Sequence, residues 1–94
     1  MSNITVETIT PDTTGNSGLD TGAKASGSTG GATEIAVQAL FNDISIGEKT
    51  ATISGDSWSC NVMGEFTPPG TLTVKASDPD GSIGSGEKSI DVKE

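Results

Sequence analysis

The chain has 94 residues, with 13 Asp and Glu against 5 Lys and no Arg, a formal net charge of −8, no His and one Cys. That balance argues against nucleic-acid binding, which needs clustered Lys and Arg, and against anionic membrane surfaces. The missing His and the lone Cys60 exclude Ser-His-Asp and Cys-His nucleophiles, zinc sites of His or several Cys, and an internal disulfide.

Aromatic residues are scarce: Trp58, Phe41 and Phe66, with no Tyr. The core must come mainly from Val, Ile, Leu and Ala. The 13 glycines and the abundant Ser and Thr point to many turns and short strands. A chain of this length is one domain, residues 1–94, burying roughly 60–65% of the surface it exposes when unfolded. The first residues, Met1-Ser2-Asn3-Ile4-Thr5, lack a basic stretch and an apolar stretch, so no signal peptide is read. No apolar run approaches the ~20 residues of a membrane helix. These features predict a soluble protein made in the cytoplasm. The rival reading is that Met1 opens an excised domain.

In chain order, Asn3–Ile9 reads as a first strand. Ile4 and Val6 share a face and Ile9 breaks the parity, which predicts a bulge or a crossing between sheets. Pro11–Gly18 is a loop by composition. Leu19–Ser28 places Leu19, Thr21, Ala23 and Ala25 on one face, diluted by Gly22 and Gly27. The rival for residues 1–31 is a flexible Gly- and Ser-rich arm.

Thr33–Asn42 alternates Ile35, Val37, Ala39 and Phe41 with polar or outward residues, and Asn42-Asp43 turns the chain. A helix is the rival for Glu34–Phe41. Ile44 and Ile46 suggest a short edge segment. Glu48–Ser54 places Ala51 and Ile53 inside, and Gly55-Asp56 is a tight reversal. In Ser57–Met63, Trp58, Cys60 and Val62 share one parity. Gly64–Pro69 reads as a loop in which Phe66 plugs one end of the core.

Gly70–Ser77 sets Leu72, Val74 and Ala76 against Thr71, Thr73 and Lys75. Asp78-Pro79-Asp80-Gly81 supplies turn chemistry, and Glu87–Val92 returns with Ile90 and Val92 on one face. Seven candidate strands at roughly 8–12-residue spacing predict an all-β sandwich of antiparallel strands, with Val37, Trp58, Leu72, Val74 and Ile90 in one core.

Two stretches carry a resemblance: Thr50-Ala51-Thr52-Ile53-Ser54-Gly55-Asp56-Ser57-Trp58-Ser59, and Pro69-Gly70-Thr71-Leu72-Thr73-Val74-Lys75-Ala76-Ser77-Asp78-Pro79-Asp80-Gly81. A small turn before an inward Trp, then a Pro-Gly-Thr-x-Thr-Val-x-Ala strand running into an acidic loop, resembles the bacterial immunoglobulin-like domains. The Asp-Pro-Asp-Gly loop is also similar to one in polycystic-kidney-disease-type sandwiches. The likeness covers roughly Thr33–Val92 and only loosely Met1–Gly31. It implies an immunoglobulin-like β-sandwich of about seven strands, and no activity. Domains of this kind occur as repeats in bacterial adhesins, as accessory modules of secreted enzymes, and on tailed-bacteriophage virions.

Each candidate site has a plainer rival. Asp78, Asp80 and Glu87 are oxygen donors near a glycine turn, a weak calcium set whose spacing lacks the alternating ligands of an EF-hand. Its rival is an Asx-type turn on a solvated loop, and no metal or other cofactor is expected. Trp58 is either a sugar platform or core, and its parity with Val62 says core. Cys60 is a small buried hydrophobe or half of an intermolecular disulfide. Asn3-Ile4-Thr5 matches a glycosylation sequon with no secretory route to use it. Paired carboxylates without an aromatic-lined cleft do not make a glycosidase, so no catalytic residue is assigned and an enzyme is not expected.

The resemblance leaves two expected functions. One is a structural decoration protein on a phage capsid or tail, assembled in the host cytoplasm and displayed on the virion surface. The other is an adhesin or carbohydrate-binding module of a bacterial cell surface. The first expects a capsid or tail protein as partner, with a weak host-surface glycan contact and neither nucleic acid nor membrane insertion. The attachment region is then the Gly-rich Pro11–Gly31 or the backbone of an edge strand such as Thr5–Ile9.

Overall fold

A computed structural model describes residues 4–11, 20–67, 69–79, 81 and 83–93. Its strands are β1 (Thr8–Pro11), β2 (Asp20–Ser28), β3 (Ala36–Phe41), β4 (Ile44–Thr50), β5 (Thr52–Ser54), β6 (Ser57–Phe66), β7 (Gly70–Ser77) and β8 (Ser85–Val92). They form two four-stranded sheets, β1-β2-β6-β5 and β4-β3-β7-β8, with every pairing antiparallel. No helix occurs among the described residues. The protein is an all-β sandwich.

The eighth strand arises where one was expected over Glu48–Ser54. The chain pairs with β3 up to Thr50, then leaves that sheet and pairs with β6 from Thr52. Ala51 marks the switch, donating its N–H to the Ile35 carbonyl at 2.8 Å. β4 also absorbs the short segment expected at Ile44 and Ile46. Its register slips between the partners of Ala39 and Leu40, leaving Ile46 as an extra residue.

Local chemistry sets the reversals. Asn42 and Asp43 both take positive φ, 52° and 69°, so a two-residue turn of the type that matches strand twist joins β3 to β4. Gly55, at φ 63°, opens the equally short turn between β5 and β6.

The parity break near the N-terminus is a bulge. The Glu7 N–H bonds to the Ser26 carbonyl at 2.8 Å, while Thr8 also sits opposite Ser26. Two residues facing one resets the alternation. Ile4 and Val6 therefore point into the core before the bulge, and Ile9 packs against the core after it.

Within the stretch for which a flexible arm is the rival, Asp20–Ser28 form a strand. β2 lies between β1 and β6, hydrogen-bonded on both sides, with Ala23 and Ala25 buried. Leu19 and the rest of residues 12–19 lie outside the described residues. Pro11 ends β1 rather than opening a loop, a place open to Pro because an edge strand leaves one side unpaired. β6 likewise runs to Phe66, past the expected loop start at Gly64.

The core joins Ile35, Val37, Ala39, Trp58, Val62, Leu72, Val74 and Ala76, all nearly inaccessible. Ile90 differs from expectation: it is partly buried at the rim, because β8 is an edge strand. Phe66 does plug one end, stacked on Phe41 with ring centroids 4.7 Å apart. Trp58, 1% exposed, donates its indole N–H to the Thr5 carbonyl at 2.9 Å. To get there the indole passes over Gly27, its register partner on β2. A Cβ at Gly27 would collide with the Thr5 backbone and sit 2.9 Å from the indole nitrogen.

Gly27→Ala is therefore expected to cost about 3 kcal/mol, because the obstructing atoms are backbone and cannot swing aside. Trp58→Phe is expected to cost about 2 kcal/mol through the lost hydrogen bond and the unfilled volume. Urea denaturation checks both. Native Trp58 fluorescence should be blue-shifted, and emission near that of free Trp would remove the residue from the core.

Candidate functional site

The outer face of the β4-β3-β7-β8 sheet carries the most structured surface feature. Register stacks its side chains in transverse rows. Glu48, Gln38, Lys75 and Glu87 form one row across all four strands. Thr50, Ala36, Ser77 and Ser85 form the next. The first row is long and charged, and the second is short. The step between them makes an open recess of about 520 Å³, lined by Ala36, Gln38, Glu48, Lys75, Ser77 and Glu87 among others.

Polar groups on this face are mostly satisfied. Gln38 Nε2 donates to Ser45 Oγ at 3.0 Å, and the Thr73 and Ser89 hydroxyls bond at 2.8 Å. Lys75 Nζ lies 3.9 Å from Glu87 Oε2, with both side chains more than half exposed, so the pair adds little stability. Glu48 makes no hydrogen bond or ion pair among the described residues.

The opposite outer face, on the β1-β2-β6-β5 sheet, is a field of hydroxyls. Thr8, Ser26, Ser59 and Thr52 align in one row, and Ser28, Ser57 and Ser54 in another. Two hydroxyl pairs bond here, Thr5 Oγ1 with Ser28 Oγ at 2.9 Å and Thr8 with Ser26. Met63, 60% exposed, is the large apolar side chain there. Ile44, 68% exposed, follows the β3–β4 turn.

Of the acidic candidates, the described Asp78 and Glu87 serve separate parts of the structure. Asp78 is 9% exposed and organises its own loop: Oδ2 accepts the Ile83 N–H at 3.2 Å, its carbonyl accepts the Gly81 N–H at 2.8 Å, and its N–H donates to the Gly84 carbonyl at 3.0 Å. The Gly81 bond is a backbone bond of the β-turn kind, and the carboxylate reaches five residues on to Ile83 rather than two. Glu87 instead lies on the sheet face, paired with Lys75. Asp80 lies outside the described residues. No group of three or more His, Cys, Asp or Glu able to hold a metal gathers among the described residues.

Trp58 is core and cannot serve as a surface platform. Cys60 is buried, so its sulfur does not face a partner. Asn3 of the sequon lies outside the described residues, while the Thr5 hydroxyl is engaged with Ser28. No helix among the described residues is long and apolar enough to cross a membrane.

Reading the sequence missed the recess. Gln38, Glu48, Lys75 and Glu87 each carry an outward signal in their own strand, but their alignment comes from register between strands distant in the chain. Comparisons with protein-family models, curated proteins and solved structures find no match to this chain.

Two predictions follow from the buried polar groups. Asp78→Ala removes the acceptor for the Ile83 N–H and should cost about 1–2 kcal/mol in thermal or urea unfolding, with exchange of the loop amides accelerated. Burial pushes the Cys60 thiol above its ordinary value of 9.0, partly offset by the Lys49 ammonium. The folded state therefore disfavours the thiolate. Stability tied to the protonated thiol is fully present below the unfolded value and is lost as pH rises through the folded one. Native Cys60 should react slowly with thiol reagents, and Cys60→Ala should flatten the loss of stability above about pH 9 relative to the parent chain.

Proposed function

We propose that the protein is an immunoglobulin-like accessory module without enzymatic activity, a rigid sandwich that decorates a larger protein assembly such as a phage capsid or tail. One observation carries this reading. All three aromatics, Trp58, Phe41 and Phe66, are consumed by the core, at 1%, 9% and 5% exposure. Among the described residues the exposed surface is mostly hydroxyls, carboxylates and a few lysines, with Met63 and Ile44 as the large apolar side chains. A sugar platform is built from exposed aromatic rings, and a hydrolytic site from an enclosed cleft. A decoration module needs only rigidity, a solvated acidic surface and one complementary face. The strand order and the quoted Trp58 and Pro69–Gly81 stretches support the immunoglobulin-like kinship.

The reading also accounts for the charge. A formal net charge of −8 on 94 residues keeps neighbouring copies soluble and apart on a crowded surface.

The test is association. The full-length native chain should co-sediment with a virion or similar particle, and particles lacking it should assemble without it. A native polypeptide of several hundred residues that is secreted and binds a defined glycan, with no particle association, would replace this reading with the adhesin.

A further inference from the structure

We infer that the recess on the outer face of the β4-β3-β7-β8 sheet is the docking surface, and that it receives a basic side chain, arginine or lysine, from a protein partner. The inference rests on the accessory-module reading and names the face and the partner chemistry.

The four sheet edges are each guarded. β1 ends in Pro11, which has no N–H to offer an added strand. β5 is only three residues long. β8 is overlaid by the N-terminal segment: the Ile4 carbonyl lies directly over Gly86, and Lys88 Nζ donates to the Glu7 carbonyl at 3.0 Å. β4 carries the bulge at Ile46, and Lys49 sits opposite the inward-facing Val37, so a charge lies on the core-facing side of this edge. Strand addition along Thr5–Ile9, one of the attachment modes expected from sequence, is blocked on one side by β2. On the other side, Ile4 and Glu7 are engaged by β8. Strand addition at an edge is thus disfavoured, which turns attention to the faces.

Both faces leave a polar group unmatched, but of different kinds. On the β1-β2-β6-β5 face Thr5 pairs with Ser28 and Thr8 with Ser26, while the neutral Asn61 Oδ1 is without a partner among the described residues. On the other face, Gln38, Lys75 and Glu87 have partners and Glu48 has none among the described residues. Glu48 stands at one end of the charged row, beside the short floor of Ala36, Ser77 and Ser85. Two carboxylates against one ammonium give the recess a net negative sign, and the chain as a whole adds a field of the same sign. A lysine or arginine answers both features. Its aliphatic stem lies along the Ala36 floor and its cation meets Glu48. The long-range acidity speeds the encounter with a basic partner and slows that with an acidic one. A second copy of this chain would bring Glu48 and Glu87 against an equally acidic face, so self-association is disfavoured.

The test uses the isotope-labelled full chain titrated with acetyl-Gly-Arg-Gly-amide, and with the same peptide carrying citrulline, which keeps the shape and loses the charge. Saturable amide shifts are expected at Gln38, Glu48, Ser77 and Gly86 with the arginine peptide alone. They should weaken about fivefold in Glu48→Gln and as salt is raised, and stay unchanged in Glu65→Gln on the opposite sheet. Glu48 is exposed, so the variant should fold as the parent does. Equal binding of the citrulline peptide, shifts confined to the hydroxyl face, the absence of saturable binding, or a dimer formed through this face would each overturn the inference. Particle co-sedimentation separates the two claims. A chain that joins particles but does not seat the arginine peptide defeats the recess and keeps the accessory role. A chain that seats the peptide but joins no particle defeats the accessory role and keeps the recess.

Discussion

The hydrogen bond from the Trp58 indole to the Thr5 carbonyl ties together three segments that are distant in the chain. It starts on β6, passes over β2 at Gly27 and ends on the segment preceding β1. That segment contributes Ile4 and Val6 to the core, and it lies against Gly86 and Lys88 of β8 in the other sheet. One buried donor thus fixes a strap that holds both sheets at one edge. A buried indole N–H left without an acceptor costs more than the bond gains, so the strap position and the Trp58 rotamer depend on each other. Gly27 belongs to the same device, since any larger residue there would separate donor from acceptor.

The opposite long edge closes without a tryptophan. There the chain crosses from one sheet to the other at Ala51, and Gly47 of β4 runs backbone to backbone past Met63 and Gly64 of β6. The core between these edges is thin and aliphatic, apart from Trp58 and the stacked Phe41 and Phe66. What the sandwich presents outward is decided by two polar faces of unlike character. One is a field of hydroxyls in which Thr5 bonds Ser28 and Thr8 bonds Ser26. The other is a charged row beside a shallow step.

The same economy explains the acidic loop. Asp78 could be taken for a ligand, but its carboxylate and backbone both serve the turn that returns the chain from β7 to β8. Glu87 lies too far along β8 to share in that work and pairs instead with Lys75. Residues close in sequence are set to separate tasks because one sits in the turn and the other in the ladder.

The alternation of Gly70–Ser77, Ser57–Met63 and Ala36–Phe41 determined by itself that this chain is all-β, and it picked out Val37, Trp58, Leu72 and Val74 as core, because a strand writes its buried face into every second residue. The parity break at Ile9 likewise pointed to a bulge or a crossing between sheets, and Glu7 and Thr8 both face Ser26. Local pattern says nothing about which strands become neighbours. The split of Glu48–Ser54 between two sheets, the central place of the glycine-diluted β2, the rim position of Ile90 and the row from Glu48 to Glu87 all depend on pairing between segments far apart in the chain. Tertiary structure alone decided these, because register is settled by the fit of whole faces in the core and by the Trp58 strap, neither of which any single strand encodes.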